Sequence, residues 1–136
     1  MITVYVCLDD RNGMLFNRRR QSRDAALLED LRASVLGVLA IDPFSEKLIR
    51  DAGIPYIPAP EDLSELAEDA HFFCENRKPE ELIPLTHKLV IYRWNRHYPA
   101  DLRWDIDPIE AGFTLAHRLD FPGSSHETIT KEVYIR

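Results

Sequence analysis

Hydrophobic and polar positions fall into short blocks along this chain, and the period of the blocks changes in a regular order. ITVYVCL, Ile2 to Leu8, is a run of β-branched and apolar residues that reads as a strand, ended by the turn-prone DDRNG, Asp9 to Gly13. From Ser22 the period becomes helical. Leu27, Leu31 and Val35 share one face, Ser22 can cap, and Asp24 sits in the first turn, where a carboxylate favours the helix dipole; the helix ends near Leu36 or Gly37. VLAI, Val38 to Ile41, is a short buried-type strand. Asp42-Pro43 then supplies a cap and a proline for the first helical position, with Gly53 as the C-terminal stop.

The alternation continues through IPYI, Ile54 to Ile57, a proline-limited strand, a helix over Asp62 to Asp69, and a strand from His71 to Cys74. A helix opens at Pro79 and carries Leu82, Ile83 and Leu85, followed by the almost wholly apolar strand Lys88 to Trp94, as expected when helices cover both faces of a sheet. After that the helical period stops. Arg103 to Ile106, Phe113 to Leu119 and Lys131 to Ile135 read as strands with no helix between them. The prediction is an α/β domain with a mixed, mainly parallel sheet flanked by helices and antiparallel C-terminal strands.

Composition narrows the setting. A chain of 136 residues with 45% hydrophobic content builds one domain, residues 1–136, whose core needs no disulfide or structural metal. Cys7 and Cys74 each lie inside an apolar strand, so two reduced, buried thiols are expected, with no CxxC and no closely spaced Cys/His set for a metal. No run reaches the roughly 18 apolar residues of a membrane span, and MITVYVCLDDRNG lacks the layout of a signal peptide, which predicts a cytoplasmic protein. A formal charge of −6 disfavours general nucleic-acid binding, because that rests on a concentrated basic surface.

Three segments carry candidate chemistry. Asn17 to Asp24, NRRRQSRD, concentrates Arg18, Arg19, Arg20 and Arg23 beside a helix N-terminus at Ser22, a combination suited to a phosphate or carboxylate; the alternative is a solvated loop whose arginines pair with Asp9, Asp10 or other acids. YRWNRHYPAD, Tyr92 to Asp101, places Tyr92, Arg93, Asn95, Arg96 and His97 at the carboxyl end of a buried strand, where open α/β sheets bind ligands. Here the alternative is an edge packed by Trp94 and Tyr98, with Arg93 and Arg96 paired to Asp101 or Asp105. GSSHETITKE, Gly123 to Glu132, sets serines beside His126, but neighbours in sequence rarely meet the geometry of a nucleophile and its base. A Gly-Ser-Ser turn between antiparallel strands is the default, with His126 ordering the loop against an Asp or Arg.

The order of elements resembles dihydrofolate reductase. MITVYVCLDDRNGM with Asn17 is similar to that family's first strand and mobile loop, ELIPLTHKLVIY to its late helix and strand, and KEVYIR to its closing strand. The chain is also similar to small bacterial proteins sharing DDRNGMLFN, RRQS, YRWNRHYPAD and GSSHETITKE, some of which bear the label ribonuclease Z. The HxHxDH motif of ribonuclease Z is missing, and His71, His87, His97, His117 and His126 stand apart.

The reductase resemblance implies a pocket near the first strand, with Tyr92 facing Tyr5 and Cys7, and places Asp24 close to the acidic residue that polarises the pterin. It also exposes departures. Asp42-Pro43-Phe44-Ser45 stands where the family has its phosphate-binding Gly-Arg and following Thr, and Glu75-Asn76 replaces the glycine pair after the strand ending at Cys74. Glycines there admit close approach of backbone to pyrophosphate, and a carboxylate would repel it. The expectation is a scaffold without reductase chemistry or a cofactor, which binds a small anionic or nucleotide-like ligand or a protein partner. The alternatives are an altered enzyme in which burial raises the pKa of Asp24, a catalytic carboxylate beside Tyr92 and Cys7, and an RNA-acting protein using the arginines.

Overall fold

The computed structural model describes residues 1–136. Seven strands form one sheet: β1 (Ile2–Leu8), β4 (Leu39–Ile41), β5 (Tyr56–Pro58), β6 (His71–Cys74), β7 (Thr86–Arg93), β9 (Thr114–Phe121) and β10 (Ile129–Ile135). Their order is β5-β4-β6-β1-β7-β10-β9, parallel as far as β7, after which β10 runs antiparallel to β7 and β9 antiparallel to β10. The expected mixed sheet, with its antiparallel C-terminal end, is present.

The pleat of the strands sorts the core into two layers. Val4, Val6, Leu8, Phe72, Cys74, Leu89 and Ile91 point to one face, covered by Met14, Leu15, Leu82, Trp104 and Phe113. Tyr5, Phe73, Val90, Tyr92 and Trp94 point to the other, under Leu27, Leu31 and Val35 from the end and flank of α1 (Ala25–Ser34) and Leu48 and Ile49 from α2 (Glu46–Asp51). The stripe read from the sequence is therefore the face of α1 that seals this layer. A turn of 3-10 helix, Pro43–Ser45, leads into α2, and Gly53 ends it at φ +72°.

Four local expectations are corrected. No α-helix spans Asp62 to Asp69; only a 3-10 turn at Leu63–Glu65 forms, because Leu63 is its one buried residue and so little apolar surface cannot offset the cost of ordering a helix. The helix at Pro79 is equally brief, α3 covering Pro79–Leu82 before a 3-10 turn over Ile83–Leu85. The strand expected at Ile54 to Ile57 begins two residues later, since Ile54 is buried just after α2 and β5 pairs through Tyr56. Finally, the segment taken as a loop folds into a hairpin, β2 (Gly13–Phe16) and β3 (Arg19–Arg20), turned at Asn17 and Arg18 with φ +51° and +60°; β8 (Leu102–Arg103) completes this small sheet in the order β3-β2-β8. Successive left-handed residues are the signature of a tight two-residue turn, with Asn one of the few side chains that tolerates it.

No helix is long and apolar enough to cross a membrane.

Candidate functional site

The parallel strands deliver their carboxyl ends to one edge of the sheet, and there the sequence places Asp9 after β1, Asp42 after β4, Glu75 after β6 and Trp94 after β7. A cleft at this edge is where a ligand is expected in an open α/β sheet. Each of the three carboxylates is instead spent on the protein. Asp9, fully buried, accepts from the backbone N–H groups of Arg11, Gly13 and Tyr98 and from Gln21 Nε2. Burial would raise its pKa, but those hydrogen bonds outweigh it and hold the carboxyl below the ordinary range.

Glu75 accepts both arms of Arg20, at 2.6 and 2.7 Å, plus the Ser45 hydroxyl at 2.6 Å, while the Arg20 guanidinium lies over the Phe44 ring. Asp42 takes both arms of Arg77, which also donates to the carbonyls of Pro60 and Glu61. Outside β4 and β6 a wide depression of about 720 Å³ remains, lined by Asp42, Pro43, Phe44, Glu61, Asn76, Arg77, Lys78 and Glu81. Its three acidic residues, with the one guanidinium already committed, form a poor seat for a polyphosphate.

Deeper in, between α1, α2 and the ends of β1, β6 and β7, the cleft is filled. Cys7, Arg20, Ser22, Asp24, Leu27, Phe73, Glu75 and Trp94 close on a space of about 10 Å³, room for one water at most. Cys7 lies at its floor, half-buried, and low dielectric together with the Glu75 charge raises its thiol pKa; the Cys74 thiol is buried on the opposite layer and pushed up to about 12. Two neutral free thiols result, neither poised as a nucleophile.

Asp24 stands at the centre of this wall, and its environment corrects two expectations. It, rather than Ser22, is the cap of α1, with Oδ1 accepting from the N–H groups of Ala26 and Leu27. The remaining donor at that end, Ala25 N–H, goes to Ser124 Oγ, so no helix N-terminus is left open for an anion. The loop between β9 and β10 supplies the other partners: Ser124 N–H and Oγ to Oδ1, and Ser125 N–H, His126 N–H and His126 Nδ1 to Oδ2. Burial pushes this carboxyl up, but the hydrogen bonds prevail and hold it well below the usual carboxylate range, the reverse of the raised pKa expected of a catalytic acid. Gly123 makes the approach feasible, since a Cβ there would lie 2.5 Å from the His126 carbonyl oxygen and 2.6 Å from Asp24 Oδ2.

His126 is where all three sequence segments meet. An ionised Asp24 only accepts, so in the neutral imidazole the proton sits on Nδ1 and Nε2 is an acceptor, 2.8 Å from Tyr98 Oη and 3.2 Å from Ser22 Oγ. Trp94 stacks on the ring at 4.7 Å between centroids. Sequence reading put His126 in a turn that it would order against an acid, and it does so with Asp24; nothing local in GSSHET could have pointed to Ser22, Trp94 and Tyr98.

The other expected ligand residues separate into committed and free. Tyr5 and Tyr92 are buried on the α1 layer, as the register Cys7↔Tyr92 requires, but their hydroxyls are used internally: Tyr92 donates to Asp30 at 2.6 Å, and Tyr5 Oη lies 2.9 Å from His71 Nδ1. Arg93 pairs with Glu132 and donates to Asn12 Oδ1, in place of the expected Asp101 or Asp105. Asn95, at φ +59°, donates to the Thr128 carbonyl and Thr130 Oγ1. By contrast Arg18, Arg19, Arg23, Arg96 and His97 are exposed, and none has a carboxylate within salt-bridge distance; of the Asn17 to Asp24 arginines only Arg20 pairs with an acid, and that acid is Glu75 rather than Asp9 or Asp10. The hairpin and the Tyr98–Pro99 turn bring part of this set together around a depression of about 270 Å³ lined by Phe16, Asn17, Arg19, Arg20, Gln21, Tyr98 and Pro99, with the Arg96 guanidinium over the Tyr98 ring.

A dihydrofolate reductase from Enterococcus faecalis, solved in complex with NADP(H) and RAB-propyl, superposes with a TM-score of 0.68 over 100% of this chain and 96% of its own, at 11% sequence identity. The fold is that of dihydrofolate reductase. At this identity the dihydrofolate reductase likeness speaks for the scaffold alone. No family model matches the chain, and no curated protein does, so the ribonuclease Z label has no support from sequence either.

Proposed function

We propose that this chain is a non-reductase form of the dihydrofolate reductase scaffold which binds a small anionic or nucleotide-like ligand at its basic rim. The observation that carries this reading is the depression between the β2–β3 hairpin and the Tyr98–Pro99 turn, where Arg19 has no acidic partner and two aromatic rings, Phe16 and Tyr98, flank it. An arginine fork beside the exposed Phe16 ring and the half-buried Tyr98 ring suits a phosphate or carboxylate attached to a flat group. Against reduction of folate stand the filled inner cleft, the Arg20–Glu75 pair occupying it, and the acidic depression outside β4 and β6.

Thermal shift against nucleotides, NADPH and folates tests the proposal. A ligand present at a hundredfold over its Kd adds about 2.7 kcal/mol, a rise of several degrees. A nucleotide is expected to stabilise the wild type and to lose that effect in Arg18→Ala and Arg19→Ala. Absence of any shift by every anion, with both variants silent, overturns it.

A further inference from the structure

We infer that Ser22, His126 and Asp24 form an acyl-transfer site, with Ser22 as nucleophile, His126 as base and Asp24 as the positioning carboxylate. Such a site requires a hydroxyl within hydrogen-bond reach of an imidazole, a carboxylate holding the other ring nitrogen, and a cation or donors near the developing oxyanion. Ser22 Oγ is 3.2 Å from His126 Nε2, and His126 Nδ1 is 3.0 Å from Asp24 Oδ2, although Ser22 and His126 are 104 residues apart. The serines adjacent to His126 are not its partners; they hold Asp24.

The constellation is rigid. Both oxygens of Asp24 are fixed by backbone and side-chain donors, so the carboxylate cannot turn away, and Trp94 stacked on the imidazole fixes the ring plane. Ser22 is half-buried and lines the small inner space with Arg20 and Arg23. That space holds one water at most, so an ester has to reach Ser22 from the adjoining open groove of about 300 Å³, which shares Arg23, Leu28 and Leu48 with it and is also lined by Asp51, Ser124 and Ser125. With Asp51 in its wall, the groove suits a small uncharged ester with an apolar acyl group against Leu28 and Leu48 and Arg23 as the cation for the developing oxyanion.

In the reaction Ser22 Oγ attacks the ester carbonyl carbon and its proton passes to Nε2. The bond to the leaving oxygen then breaks as His126 returns that proton to the departing alcohol. Water attacks the acyl-Ser22 ester through the same base, releasing the carboxylic acid and the free hydroxyl. Tyr98 bears on the rate, because its hydroxyl is 2.8 Å from the one lone pair that Ser22 needs. Removing that hydroxyl leaves Nε2 to Ser22.

The test is mass-spectrometric mapping of a fluorophosphonate adduct on the folded full chain, followed over a pH series. We expect phosphonylation of Ser22 in the wild type, a rate higher by about tenfold in Tyr98→Phe, and a fall of about 100-fold in His126→Gln. Ser22→Ala removes the adduct with circular dichroism unchanged, and hydrolysis of p-nitrophenyl esters follows the same order. The inference is overturned if Ser22 carries no adduct in either the folded wild type or Tyr98→Phe, or if labelling is indifferent to pH and to His126. It is independent of the basic-rim reading, since the adduct is scored at Ser22 and the rim reading by the ligand-induced thermal shift.

Discussion

The two ends of the Arg18 to Asp24 segment are neighbours in sequence and opposites in physical state. At Asp24 every polar group has an internal partner, and one carboxylate joins the start of α1 to the loop between β9 and β10. At Arg18 and Arg19 the charges stand in water with no carboxylate within salt-bridge distance, held out by a hairpin turn. Arg20 lies between and belongs to the interior, with both arms on Glu75. Charge alone therefore does not separate a structural residue from one left free for a ligand; whether a complementary group shares its burial does.

Replacing Asp24 should break the contrast most severely. Asp24→Ala orphans the buried donors of Ser125, His126, Ala26 and Leu27, and a loss of about 3–5 kcal/mol in urea denaturation is expected, with Asp24→Asn losing less because it retains one acceptor. Truncating Glu75 comes next. Glu75→Ala leaves Arg20 half-buried without its partner and should cost about 2–3 kcal/mol, while the Arg20→Ala/Glu75→Ala double variant should lose less than the sum of the two singles, as a coupled pair requires.

Gly123→Ala should cost about 1–3 kcal/mol, because its new Cβ must displace either the His126 carbonyl or the Asp24 carboxylate. A pH series separates the two ends by linkage. The pKa of Asp24 is lowered on folding, so its contribution is fully present above the unfolded value and is lost as acid protonates the folded carboxylate; wild-type stability should fall progressively below about pH 4, with a shallower slope in Asp24→Asn. The smallest change belongs to the exposed end. Arg19→Ala should alter stability by less than about 0.5 kcal/mol while abolishing the ligand-induced thermal shift, and an effect of several kcal/mol on stability would erase the distinction between the two ends.

Much of the scaffold was legible because local patterns record it. The β-branched run of β1, the Leu27, Leu31 and Val35 stripe, the Asp42-Pro43 opening and Gly53 stop of α2, and the apolar β7 all state burial or capping in the identity of single residues. The acidic stretch after Asp62 misled because alternating Leu and Glu residues satisfy a helical period without enough surface to bury. The hairpin of β2 and β3 went unseen because its strands are two and four residues long, and its partner β8 lies far away in sequence.

The candidate site was legible as a set of segments and not as an assembly. Sequence marked Asp24, the Tyr92 to His97 cluster and the GSSHET turn, and it showed Glu75-Asn76 standing where the reductase resemblance implies a glycine pair. It could not say that Asp24 would be depressed rather than raised in pKa, because that sign depends on how many donors meet a buried carboxylate, and most of those donors arrive from a loop about a hundred residues away. By itself the sequence determined the order of elements, their buried faces and which side chains could carry charge. Tertiary structure alone decided which charges would neutralise one another, that Ser22 rather than Ser124 or Ser125 would reach His126, and that Arg19 would be left without a partner, because hydrogen bonding and ion pairing act over a few ångströms and only the closed fold sets those distances.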